Sequence, residues 1–149
     1  MPQILDLPHP YDDKFNHACA MFEADRASKG IGITITHLAD NEAGGHFTVR
    51  PDMCNGHGIA HGGYLFTFAD SLFAGACNAS GDTAVGFQAS IHYITPVREG
   101  DLVEGFATQR ASWGRNGITD VTLTVNGQVV AEFRGTSRTI KSFDDSNRN

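Results

Sequence analysis

A chain of 149 residues suits one ordinary domain and leaves little room for two. With 40% hydrophobic and 19% charged residues, it reads as a soluble globular protein and not as a disordered one. A net charge of −6 argues against nucleic acid or an anionic membrane as the main partner.

No apolar run approaches the roughly 20 residues of a membrane span. Residues 1–10 lack the basic start and apolar core of a signal peptide, so a cytoplasmic location is expected. Charge is uneven along the chain: four basic and ten acidic residues through Asp82, then seven of each. An anionic ligand would look to the later half, to Arg98, Arg110, Arg115, Arg134, Arg138 and Lys141. The cysteines Cys19, Cys54 and Cys77 are odd in number and widely spaced, which indicates no disulfide framework.

In chain order, the three prolines of Met1–Pro10 suggest a loose start, and Ser142–Asn149 reads as a loose polar end. Between them a single domain is expected over 14–141, with 1–13 and 142–149 as extensions. Phe15, Ala18, Cys19 and Phe22 recur at helical spacing, which predicts a helix over 12–29 that stops at Gly30. Ile31, Ile33 and Ile35 alternate as a strand, and His46–Arg50 reads as its partner across a turn at 40–45. Residues 51–60 form a glycine-containing loop, and 61–80 a second helix closed by Gly81.

Everything after that reads as strand. Val85, Phe87, Ala89, Ile91 and Tyr93 alternate within 83–95, and strands follow at 102–113, 118–125 and 128–140. Asn126-Gly127 is a two-residue hairpin signal. Short turns favour an antiparallel meander with one long helix against its face, an α+β fold.

The second helix is apolar around its whole circumference, from Tyr64, Leu65, Phe66 and Phe68 to Leu72 and Phe73. Its only acid is Asp70. An unpaired buried carboxylate costs several kcal/mol, so it needs a partner or a purpose. Asp70 either lies on a narrow polar strip with Thr67 and Ser71, facing solvent or an arginine, or it waits in a dry cleft as base or nucleophile. His61-Gly62-Gly63 opens the helix, where amides lack internal acceptors and the dipole favours negative charge. Glycine lets a ligand oxygen come close, which is what an oxyanion site requires.

Cys54, His57 and His61 have ligand-like chemistry but supply only three groups among glycines, and no metal is expected. Cys54 has no clear third member for a nucleophilic triad. His9, His17, His37, His46 and His92 lie on scattered elements and support no site by themselves.

Asn55-Gly56-x-Gly58-x-x-His61-Gly62-Gly63, followed by Asp70, resembles the hotdog-fold acyl-CoA thioesterases, most of all the branch of the phenylacetate-degradation thioesterase. The likeness runs from about Lys14 to Ile140 and includes Phe-Arg-Gly at Phe133–Gly135. It implies a long central helix wrapped by a curved antiparallel sheet. Dimers with a continuous sheet are implied too, commonly paired into a homotetramer. The implied reaction is hydrolysis of an acyl-CoA thioester without metal or redox cofactor. Asp70 is then the catalytic carboxylate and Gly62 the amide that polarises the thioester carbonyl. His61 and Asn55 hold the loop and the reacting groups, and Gly63 lies beside the substrate.

The coenzyme A phosphates need local cations, for which Arg98, Arg115 and Arg138 are the candidates. Tyr64, Phe66, Phe68 and Phe73 suggest an apolar pocket for an aromatic or medium acyl group. Two rivals stand beside this reading. One is a hotdog hydroxyacyl-thioester dehydratase using His61 and Asp70; the other is a non-catalytic acyl-CoA binding domain.

Overall fold

The computed structural model describes residues 3–140. The first helical stretch is not one helix. It breaks into a 3-10 turn at Asp13–Phe15, then α1 (Asn16–Glu23) and α2 (Arg26–Ile31). The break falls at Asp25, which is extended and caps α2 by accepting from the Ser28 amide at 2.9 Å. An aspartate in that role satisfies an orphan amide, and here the cap overrides the apolar spacing. α2 also runs past Gly30 and ends at Gly32, whose φ of 84° is the left-handed conformation of a helix stop. Ile31 therefore closes a helix instead of opening a strand.

β1 (Thr34–Ala39) and β2 (Glu42–Thr48) form a hairpin whose turn includes Asn41 at φ 61°. The turn is tighter than the glycines near it suggest, and β2 begins before His46. The apolar helix is α3 (Gly62–Asn78), and β3 (Thr83–Tyr93), β4 (Leu102–Trp113), β5 (Asn116–Val125) and β6 (Gln128–Ile140) follow. Asn126 and Gly127 both take positive φ, 51° and 79°, and join β5 to β6 as a two-residue hairpin.

The sheet order is β1-β2-β4-β5-β6-β3, antiparallel throughout. The expected meander holds for β4, β5 and β6 only. Residues 94–101 carry the chain across the sheet, so β4 pairs with β2 while β3 pairs with β6. The α+β expectation stands: α3 lies against the sheet and contacts every strand. Phe68 meets Phe47 edge-on at 5.0 Å, and Phe66 and Phe73 converge on Phe133 at 5.4 and 5.7 Å. Each such ring stabilises the fold by roughly 1.5–3 kcal/mol through burial. Two glycines make room for Phe73, since a Cβ on Gly86 or Gly135 would fall 2.7 Å from its ring.

The two sheet edges differ. Ile35 donates to the Ile4 carbonyl and accepts from the Asp6 amide, so the leading segment lies along β1 and covers it. Ile4 and Leu7 are buried, so residues 4–7 are docked there, not loose. Among the described residues nothing covers β3 at the other edge: Ile91 packs against the core and Val85 is half-buried, but the alternation leaves its larger rings outside. Phe87 is 61% exposed and Tyr93 53%. A long, apolar, unpaired edge is a template for another strand. The trailing segment 142–149, together with Lys141, lies outside the described residues.

Candidate active site

The loop before α3 is drawn together by Asn55. Its side-chain oxygen accepts from the amides of His57 at 2.9 Å and Ile59 at 3.2 Å. Its backbone exchanges hydrogen bonds with Ile59 and Gly58. Gly58 takes φ 75°, which only glycine adopts without strain. The loop then delivers His61 as the extended N-cap of α3, its own amide bonded to the Met53 carbonyl at 2.8 Å. The His61 side chain makes no capping bond, and its carbonyl takes the Tyr64 amide. Among the described residues, the Gly62 and Gly63 amides have no acceptor. They line a cavity of about 600 Å³ with Leu65, Tyr93, Thr95 and Val97. Tyr93 donates its hydroxyl to the Gly62 carbonyl at 3.0 Å.

Asp70 opens elsewhere. It lines a second cavity, of about 440 Å³, with His17, Met21, Phe73, Cys77 and Asn78. The dry cleft expected for it is not formed by one chain, because its side chain is exposed. Of the expected polar strip, Asp70 does face solvent, but Ser71 turns inward. Ser71 is buried and bonds Ser28 at 2.7 Å and the Thr67 carbonyl at 2.9 Å, while Thr67 bonds the Gly63 carbonyl. Asp70 alone has no hydrogen-bonding partner among the described residues. Desolvation by the surrounding protein, and then the charge of Asp25, raise its pKa above the ordinary 3.8.

The Asp70 cavity has one polar wall that the sequence does not announce. His17 Nε2 lies 3.1 Å from Asn78 Oδ1. The Asn78 amide nitrogen donates to the carbonyls of Ala74 and Ala84, and its oxygen accepts from the Ala84 amide. Those bonds fix the amide's orientation, so Asn78 accepts and His17 Nε2 donates. In the neutral ring, Nδ1 is then an acceptor. Asn78 is the polar last residue of an apolar helix, the one local signal that marked this wall. Of the four helix aromatics proposed as pocket, only Phe73 lines this cavity. Phe68 is wholly buried against Phe47, and Tyr64 and Phe66 are half-buried.

The candidate cations separate. Arg98 bridges to Ile59, beside the loop that leads to Gly62. Arg115 and Arg138 lie at the opposite end of β5 and β6, where Asn116 pairs with Arg138 and the Thr139 amide donates to the Arg115 carbonyl. Arg138 shares the outer face of β6 with Arg134, away from α3. Arg134 is committed to Asp120, at 2.6 and 2.9 Å, and lowers that carboxyl's pKa; Arg110 approaches the same acid at 3.9 Å. Burial raises the Cys77 thiol, and Cys54 donates to the Arg50 carbonyl. Cys54, His57 and His61 do not gather as a ligand group, nor do any three such side chains among the described residues.

No helix among the described residues is long and apolar enough to cross a membrane. The Thioesterase superfamily profile matches residues 57–131. The acyl-coenzyme A thioesterase PaaI of Escherichia coli (strain K12) is 37% identical over 127 residues, 85% of this chain and 91% of that protein. The structure of the E. coli PaaI protein, from the phenylacetic acid degradation operon, superposes with a TM-score of 0.82 at 36% identity, over 86% of this chain and 94% of that one. Streptococcus mutans smu.793, bound to acetyl CoA, gives 0.71 at 25% identity over 74% and 90% of the two chains. A helix wrapped by an antiparallel sheet, a family match across the loop and α3, and identity along most of the chain agree: this protein belongs to the thioesterase superfamily, with the hotdog fold, and is an acyl-CoA thioester hydrolase.

Proposed function

We propose that this protein hydrolyses aromatic acyl-CoA thioesters, such as phenylacetyl-CoA and its hydroxylated derivatives, to the free acid and coenzyme A. The observation that carries the reading is a divided site. Two unpartnered amides at Gly62 and Gly63 open into one cavity, and an unpartnered carboxylate at Asp70 opens into another. The exposed apolar edge of β3 takes the same edge of a second copy, which brings the two halves together and covers Asp70. Two such dimers pair into a homotetramer in the cytoplasm.

In the joined site, the Gly62 amide, at the positive end of α3, receives the thioester oxygen as negative charge develops on it. Asn55 and His61 hold that amide in place through the loop. Ionised Asp70 either adds to the thioester carbon, giving an anhydride that water cleaves, or takes a proton from the water that adds. Both routes consume one water, break the carbon–sulfur bond and release the thiol. The chemistry uses no metal or redox cofactor. One or more of Arg98, Arg115 and Arg138 serve the coenzyme A phosphates, Arg98 being the one beside the Gly62 loop.

Support for the acyl class comes from the Asp70 cavity and from the relative. Phe73 and Met21 suit a ring, and the His17 Nδ1 acceptor suits a hydroxyl on it. The E. coli relative's structure is of a protein from the phenylacetic acid degradation operon. A thiol-release assay over a panel of acyl-CoAs tests this. Phenylacetyl-CoA and its ring-hydroxylated forms should show the highest kcat/KM, and a clear preference for straight medium chains would overturn the aromatic assignment.

A further inference from the structure

We propose that Tyr93 is a positioning residue for the reaction, whose hydroxyl fixes the Gly62–Gly63 peptide and strengthens the Gly63 N–H as a second donor to the thioester oxygen. Tyr93 closes β3, and its phenol donates to the Gly62 carbonyl at 3.0 Å. Its ring lies directly on Gly62, since a Cβ there would fall 2.7 Å from the ring carbon that bears the hydroxyl. Tyr93, Gly62 and Gly63 line one cavity.

The Gly62 carbonyl and the Gly63 amide belong to a single peptide group. A donor on that oxygen draws electron density from the nitrogen, so the N–H becomes more polar, by about 10–30% for each bond in such a chain. Gly63 N–H has no acceptor among the described residues, which leaves this added polarity for a ligand. An oxyanion donor works best when its direction is set before the reaction begins. The phenol holds one face of the peptide and the first turn of α3 holds the other. The inference rests on the assignment of the start of α3 to the thioester carbonyl.

The test is Tyr93→Phe, which keeps the ring and removes only the hydroxyl. kcat should fall about three- to tenfold, as loss of one modest hydrogen bond in the transition state allows, with KM nearly unchanged. In protein labelled with 15N-glycine and free of substrate, the Gly63 amide proton should move upfield while that of Gly62 stays. An unmoved Gly63 resonance, an unchanged kcat or a loss confined to KM would overturn the role of Tyr93. Failure of Tyr93→Phe to fold would make the hydroxyl a structural contact and overturn it equally. Because the shift is read without substrate, it is independent of the helix-start assignment, which fails instead if Gly62→Pro retains turnover.

Discussion

Asp70 and Gly62 share one helix yet open into different cavities, eight residues and about 12 Å apart along its axis. An oxygen held about 3 Å from the Gly62 amide puts its carbon out of reach of that carboxylate. Two antiparallel copies joined at β3 remove the gap, so each site should be shared and monomers inactive. Asp70→Asn lacks the carboxylate. Gly62→Pro lacks the amide, suits a first helical turn, and must swing the exposed Tyr93 ring aside. Mixed and reassorted, the two dead variants should recover roughly a quarter of wild-type activity, because about half the dimers are mixed and each carries one intact site of two. No recovery would place the site within one chain.

In the proposed reaction Asp70 works ionised, and its pKa is raised by desolvation and by Asp25. Turnover should therefore fall as pH drops through a value above the ordinary 3.8 of an aspartate. The same shift makes a stability statement. A carboxyl whose pKa is higher folded than unfolded contributes stability below the unfolded value and loses it as pH rises through the folded value. Asp70→Asn should thus lose orders of magnitude in kcat and melt above the wild type at neutral pH. The melting difference should vanish below the unfolded pKa. Calorimetry at both pH values checks the sign.

His17 should set acyl preference without serving the chemistry. Its Nε2 is occupied by Asn78, which leaves Nδ1 as the acceptor this cavity-lining ring offers a hydroxyl in the proposed complex. His17→Phe should leave kcat/KM for phenylacetyl-CoA within about threefold and cut that for ring-hydroxylated forms about tenfold, the worth of one hydrogen bond. Equal losses on both substrates would assign His17 to packing.

The paired glycines around Phe73 make a core prediction. Gly135→Ala places a methyl 2.7 Å from the Phe73 ring, which Phe133 and Gly86 hold from other sides. Overpacking of this kind costs about 1–3 kcal/mol, readable in a urea melt. Because Phe73 lines the Asp70 cavity, KM for an aromatic acyl-CoA should rise as well.

Incubation with a strong chelator should leave activity unchanged, since the proposed chemistry uses Asp70 and backbone amides. A loss restored by zinc would return Cys54, His57 and His61 to consideration as ligands.

What the sequence determined by itself is what short range controls. The apolar circumference of α3, its lone acid Asp70, the Gly62-Gly63 start and the Asn126-Gly127 hairpin are each readable within one or two turns of chain. The full pattern from Asn55 through His61-Gly62-Gly63 to Asp70, and no single piece of it, carried the resemblance to the family. Tertiary structure decided the rest. The alternation of β3 announces an apolar face but not its neighbour. Only the crossing at 94–101 leaves β3, among the described residues, an edge strand beside β6, with Phe87 and Tyr93 outward. Asp25 could have been one more polar residue in a helix until its carboxylate found the Ser28 amide. His17 and Asn78 stand 61 residues apart, and Tyr93 and Gly62 stand 31 apart. No local pattern encodes such pairs, because propensity and periodicity act over a few residues, whereas cavity walls are assembled by packing between distant elements.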